Sequence, residues 1–222
     1  MGKLFFFFDC DEFLVDIEEA FKKFVFNRFG FQITESIQDI EKIENELGIS
    51  REKAIFCWSE FNKSEHIREK EPNPFLYNFI LNLSTSGYEE IHIVTSRPED
   101  ECGEATEYWK AKFFGDSIKT IQFCNTYSKN QKLKKRKKSE AIGELVTQDD
   151  FIVFGDDTHR HVIDVAETFP NNSLVCLLTK SWNKNRELPN HKNLSRVQNE
   201  EEFVLSIKMF MQCIQMWKVE SD

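Results

Sequence analysis

No CxxC pair and no Cys/His cluster with zinc spacing occurs in the 222 residues, although six cysteines are present (10, 57, 102, 124, 176 and 213). Scattered thiols in a chain that is 40% hydrophobic do not form a disulfide framework. They read as reduced, mostly buried cysteines of a cytoplasmic protein. Long apolar runs are also missing: nothing approaches the roughly 20 residues that span a bilayer. Leu4 to Phe8 is apolar but meets Asp9 to Glu12 at once, too short a run with too acidic a flank for a secretion signal. No membrane partner is expected. Positive charge is in deficit, with 29 Lys and Arg against 38 Asp and Glu and a net charge of -9. That balance opposes binding to duplex nucleic acid or an acidic membrane over the whole surface. An anionic substrate would need a metal ion or local cations to enter. No internal repeat is visible, which excludes solenoid architectures.

What remains is one domain, or one domain carrying a smaller insert. The 22 Phe point to an aromatic core, and charged residues interspersed with apolar ones exclude disorder. Leu4 to Phe8 reads as a buried strand. Helical spacing follows in Ile17, Ala20, Phe21, Phe24 and Val25, then in Ile37, Ile40, Ile43 and Leu47. Ala54, Trp58 and Phe61 mark a third helix capped by Ser50. Pro72 and Pro74 open a fourth that runs to Gly87, suited to a C-cap. Beyond Gly87 the pattern alternates. Strands are predicted at Ile91 to Thr95, Thr120 to Cys124, Phe151 to Gly155 and Leu174 to Leu178. Helices are predicted at Glu99 to Phe114, Ser139 to Val146, His159 to Phe169 and Asn199 to Trp217. Such alternation predicts an α/β fold, a three-layer Rossmann-like parallel sheet covered on both faces. The helical stretch from Ile17 to Asn73 would be a cap inserted after the first strand, leaving 1–16 and 74–222 as the α/β core.

Ligands of open parallel sheets bind beyond the carboxyl ends of the strands. The residues there are Asp9-Cys10-Asp11, Thr95-Ser96-Arg97 and Gly155-Asp156-Asp157. Asp9 and Asp156 would hold a hard cation through oxygen ligands, with Mg2+ as the cofactor. Asp11 and Asp157 complete the acidic set at the metal, Asp157 either as a ligand or as a group that orients metal and water. Asp9 would attack phosphorus to form an aspartyl phosphate. Asp11 would protonate the leaving oxygen and later activate water. Thr95 would donate to the phosphoryl oxygens, with Ser96 and Arg97 binding substrate beside it. A lysine from the basic run at 132–138, Lys138 or in its stead Lys137, would neutralise developing charge. The rest of that run reads as a solvated loop. Thr95 and Ser96 would also cap the helix after Pro98. Cys10 reads as core packing, and His159 with His161 as a surface helix start, since residues two apart on a helix diverge.

In chain order these sets resemble the four motifs of the haloacid dehalogenase superfamily. Asp9-Cys10-Asp11 is similar to the first, Thr95 closes the second, Lys138 fits the third and Asp156-Asp157 the fourth. The resemblance covers most of the chain outside the insert and implies a Mg2+-dependent phosphatase. DCDEFLVD and GDDTHRHVIDVAETF, with the later turn at Trp182-Asn183, resemble segments of 5'(3')-deoxyribonucleotidases. That relation implies hydrolysis of a small phosphomonoester, a nucleoside monophosphate. The aromatics of the insert, such as Phe24, Trp58 and Phe61, read mostly as core of the helical cap, with one or two of them able to stack on a base through a flat apolar face. Two residues depart from the family: Glu12 stands where Gly is usual, and Phe13 where Thr or Val is usual. Glu12 suits a second family better, the phosphatases of the polymerase tail with a DLDETLV opening. A catalytically silent module of the same fold is the third alternative.

Overall fold

The computed structural model describes residues 2–34, 36 and 40–221. Ile37, part of the predicted second helix, lies outside them. The strands are β1 (Leu4–Phe8), β2 (Ile91–Thr95), β3 (Thr120–Phe123), β4 (Phe151–Asp156), β5 (Ser173–Leu178) and β6 (Leu194–Val197). The helices before β2 are α1 (Glu18–Phe29), α2 (Ile40–Leu47), α3 (Arg51–Asn62), α4 (Glu65–Glu69) and α5 (Pro74–Thr85). Those after it are α6 (Glu99–Phe113), α7 (Lys138–Gly143), α8 (His159–Thr168) and α9 (Glu200–Ser221).

All paired strands run parallel, in the order β3-β2-β1-β4-β5-β6. This is a three-layer, Rossmann-like α/β fold. The four phenylalanines of β1 follow from its central place, because a strand covered on both faces has no side for polar residues. Phe6 and Phe8 join the core on one face of the sheet. Phe5 and Phe7 join the core on the other face, with Ala141 and Ile142 of α7 and Val162, Val165 and Ala166 of α8. Cys10 is buried with the first of these clusters. All six cysteines are free, Cys213 alone being exposed. No helix among the described residues is long and apolar enough to cross a membrane.

Between Ile17 and Asn73 the described elements are helices, α1 to α4. They bury their own aromatic centre, with Phe21 5.0 Å from Trp58 and 5.2 Å from Phe61 between ring centroids. The chain leaves and rejoins the α/β layer at adjacent points, since the Asn73 N–H donates to the Leu14 carbonyl at 2.7 Å. Ser50 caps α3 by accepting the Lys53 N–H at 3.4 Å. Asn73 caps α5, and Gly87 follows that helix at φ +89°, as its C-terminal role requires.

Gly155 explains Phe13. The Phe13 and Phe203 rings meet edge to face at 5.2 Å, and a Cβ on Gly155 would lie 2.4 Å from Phe13 Cζ and 2.6 Å from Phe203 Cζ. The larger residue fills space that the missing side chain vacates. Gly155→Ala should therefore destabilise the protein by about 1–3 kcal/mol, as overpacking of a filled core does. Urea unfolding measures this, and unchanged stability would mean that the rings yield freely.

Candidate active site

Strand order reverses between β1 and β4, and the crevice at such a switch point is where open α/β sheets take their ligands. Phe8 pairs with Gly155 across these strands, and the Asp9 N–H donates to the Gly155 carbonyl at 2.9 Å. The register thus sets Asp9 beside Asp156. One carboxylate oxygen from each of Asp9, Asp156 and Asp157 lies within 4.8 Å of the others, all three residues buried. Lys138, the first residue of α7, reaches in with Nζ 2.6 Å from Asp9 Oδ1 and 2.7 Å from Asp156 Oδ2. Its neighbour Lys137 pairs with Asp164 at 2.8 Å on the surface. Lys137 is the extended N-cap residue and Lys138 the first residue of the helix, so their side chains diverge, and of the two candidate lysines Lys138 is the one at the carboxylates.

Each carboxylate is held by named donors. Asp156 accepts from Lys138 Nζ, from the Thr158 N–H at 2.7 Å and from His161 Nδ1 at 3.1 Å. Asp157 Oδ2 accepts from Trp182 Nε1 at 3.1 Å, and its carbonyl accepts from Asn183 Nδ2 at 2.7 Å. Asn183 is buried and also binds the Leu178 carbonyl, the Lys180 N–H and Arg196. The Trp182-Asn183 turn is therefore a prop for Asp157.

Three buried carboxylates face one ammonium, so full ionisation would leave two negative charges uncompensated. Burial, then the charge of Asp156, pushes the Asp9 carboxyl up to about 8, against the pull of Lys138. Burial, Asp156 and Asp9 push Asp157 well above the usual carboxylate range. Burial also works against Asp156, but Lys138 and then His161 outweigh it and hold that carboxyl low. A hard divalent cation fits this set: it would supply the missing charge, and every side-chain donor is a carboxylate oxygen. Asp9, Asp156 and Asp157 are the residues that would hold Mg2+.

Asp11 is placed differently. Its carboxylate is outside that cluster and turns to Arg97, with Nε 3.1 Å from both oxygens and Nη2 2.5 Å from Oδ1. Arg97, read from sequence as a substrate contact, is buried and does not line the cavity. Thr95 Oγ1 accepts the Arg97 N–H at 3.2 Å. Neither Thr95 nor Ser96 caps α6. Asn125 Oδ1 accepts the Glu99 N–H at 2.8 Å instead. Ser96 Oγ is buried, has no hydrogen-bond partner among the described residues and belongs to a residue of the cavity wall, which leaves a hydroxyl open to a ligand.

The cavity measures about 210 Å³. Asp9, Asp11, Asp157, Ser96 and His161 form its polar side, and Ile17, Phe21, Ile43 and Trp58 of the inserted segment form an apolar side. Of the three candidate stacking aromatics, Trp58 alone lines it; Phe61 is fully buried. His161 corrects the sequence reading: it is no surface residue but a partner of Asp156 in the cavity wall.

Glu12 sits at φ +58°, a left-handed conformation that L-residues adopt at a cost. Its Oε1 accepts the Ile17 and Glu18 N–H groups at 2.9 and 2.8 Å, and α1 has no side-chain cap at Ile17 itself. Glu12→Ala keeps the strain and loses both bonds, so it should cost about 1–2 kcal/mol. Glu12→Gly loses the same bonds but relieves the strain and should cost less. Paired urea titrations measure the order, and the reverse order would refute the capping role.

No protein-family model matches this chain, and no curated protein matches it significantly in sequence. Solved structures do match in fold. A protein classed as a haloacid dehalogenase-like hydrolase of Burkholderia xenovorans aligns at 13% identity and TM-score 0.58, over 92% of this chain and 98% of its own. The protein tyrosine kinase A of Mycobacterium tuberculosis aligns at 15% and 0.60, over 90% and 95%. The HAD-hydrolase YfnB of Bacillus subtilis, bound to magnesium, aligns at 15% and 0.52, over 91% and 97%. The fold of this chain is that of haloacid dehalogenase-like hydrolases. At such identities the likeness extends to fold alone.

Proposed function

We propose that this chain is a Mg2+-dependent phosphomonoesterase that works through an aspartyl phosphate on Asp9. The observation behind the proposal is the meeting of Asp9, Asp156, Asp157 and Lys138 at the switch point of the sheet, beside the unpartnered hydroxyl of Ser96. An Asp9 oxygen attacks phosphorus, the new O–P bond forms and the bond to the leaving oxygen breaks. Asp11 gives that oxygen a proton, then takes one from the water that attacks the aspartyl phosphate, releasing inorganic phosphate and restoring the Asp9 carboxylate. Lys138 offsets charge on the phosphoryl oxygens, and Ser96 donates to them; Thr95, buried behind the cavity wall, holds the Arg97 backbone. Bound Mg2+ supplies charge neutralisation between two anions. His161 and Thr158 orient Asp156, and Trp182 orients Asp157.

The helices from Ile17 to Asn73 act as the cap, excluding water from the phosphorus. Their apolar side, with Trp58, suits a flat, weakly polar leaving group, in keeping with a deoxynucleoside monophosphate. A cavity of about 210 Å³ walled partly by these helices disfavours a folded protein as substrate. Glu12 supports the polymerase-tail reading less once its carboxylate is seen to cap α1. Six unbridged cysteines suit a cytoplasmic setting. Phosphate release from a panel of mononucleotides, phosphopeptides and terminal DNA phosphates tests the substrate. Deoxynucleoside monophosphates should give the highest kcat/KM, and phosphopeptides hydrolysed as efficiently as every mononucleotide would end the nucleotidase reading.

A further inference from the structure

Arg97 was expected at the phosphate, and the fold puts it elsewhere. Its guanidinium is spent on two partners: both oxygens of Asp11, and Thr106 Oγ1 at 2.9 Å from Nη1. Thr106 in turn donates to the Cys102 carbonyl at 2.8 Å, so the guanidinium is fixed to the body of α6. Its own backbone N–H is held by Thr95. Arg97 is 4% exposed, and two of its nitrogens grip one carboxylate. Such a two-pronged contact fixes the plane of the carboxylate as well as its distance.

Asp11 follows β1 on a loop of tight backbone bonds, Glu12 N–H to the Val15 carbonyl at 2.8 Å and Leu14 N–H to the Cys10 carbonyl at 2.9 Å. Among the described residues its carboxylate has no hydrogen bond with the other site groups. Arg97 is what orients it.

We infer that Arg97 is a positioning residue for this reaction, holding the carboxylate of Asp11 in place from the segment that leads into α6, to which Thr106 ties it. The inference rests on the phosphomonoesterase reading above. A phosphate-binding arginine and an arginine that acts through Asp11 differ in what their loss does. The first raises KM. The second lowers kcat, and only while Asp11 is there to be positioned.

The test is a double-variant cycle on p-nitrophenyl phosphate with Mg2+, using Arg97→Lys, Asp11→Asn and both together. Lysine keeps the charge but lacks the planar fork. Arg97→Lys should lower kcat on the order of 10- to 100-fold, the scale of a misplaced catalytic group, with KM within about twofold. In the Asp11→Asn background the same change should have almost no further effect on kcat. Thr106→Val removes only the anchor on Nη1 and should give a smaller loss of kcat that also vanishes with Asp11→Asn. It serves if Arg97→Lys folds poorly by thermal melting. Losses that multiply in the double variant, or a raised KM with kcat intact, would overturn the inference while leaving the phosphatase reading standing. A wild-type protein that releases no phosphate from any ester would remove that reading, and this inference with it.

Discussion

Asp9→Asn should abolish turnover, with kcat falling on the order of 10⁴-fold or more, as loss of a covalent nucleophile does. The amide keeps an oxygen to accept the Cys10 N–H, now held by Asp9 Oδ1 at 2.8 Å, so local geometry survives. The fold should not suffer. With its carboxyl pushed up to about 8, native Asp9 binds more protons than the unfolded chain does between about pH 4 and 8. Its burial therefore destabilises the metal-free protein progressively as pH rises through that window. Asparagine removes that penalty, so the variant should unfold at a higher temperature than wild type in chelator at pH 8. Near-normal kcat in Asp9→Asn would refute the covalent mechanism. A collapse of folding would show Asp9 to be structural first.

The second large effect is metal removal. Chelator should reduce phosphate release to background and added Mg2+ should restore it. Mg2+ at 100 times its Kd should also stabilise the protein by about 2.7 kcal/mol, by mass action. Protons and the cation compete for Asp9 and Asp157, whose carboxyls are both raised. Apparent Mg2+ affinity should hence strengthen as pH rises towards about 8. Calorimetric titrations at several pH values measure this. Full activity in chelator, or an affinity that weakens with rising pH, would contradict the assignment.

Much of this was legible in the sequence because the central strands carry strong signals. Leu4 to Phe8 and Ile91 to Thr95 are short apolar runs stopped by polar residues, and their polar stops lie at the carboxyl edge by topology alone. β6 escaped notice because Leu194–Val197 contains one fully buried residue, too little to set a period. α4 is five residues long, below what periodicity detects. Within the site, what stayed hidden were pairings between distant segments. Asp11 and Arg97 are 86 residues apart, and nothing in either segment announces the other. Lys137 and Lys138 carry the same charge in one run, and only the turn from extended chain into α7 between them sends the second to Asp9. His161 looked like a surface residue because helical spacing says where side chains diverge and not which of them meets the preceding strand. Glu12 looked like a misfit for glycine until its carboxylate was seen bridging to α1.

The most direct test is to catch the phosphorylated residue. During turnover of p-nitrophenyl phosphate the protein is quenched in acid and reduced with borohydride, which converts an acyl phosphate to the alcohol and leaves unmodified carboxylates alone. Peptide mass spectrometry should then find homoserine at position 9, only in samples given both substrate and Mg2+. More of it should appear in Asp11→Asn, where hydrolysis of the intermediate is slowed. Homoserine at another position, or none while phosphate is steadily released from Asp11→Asn, would contradict nucleophilic attack by Asp9.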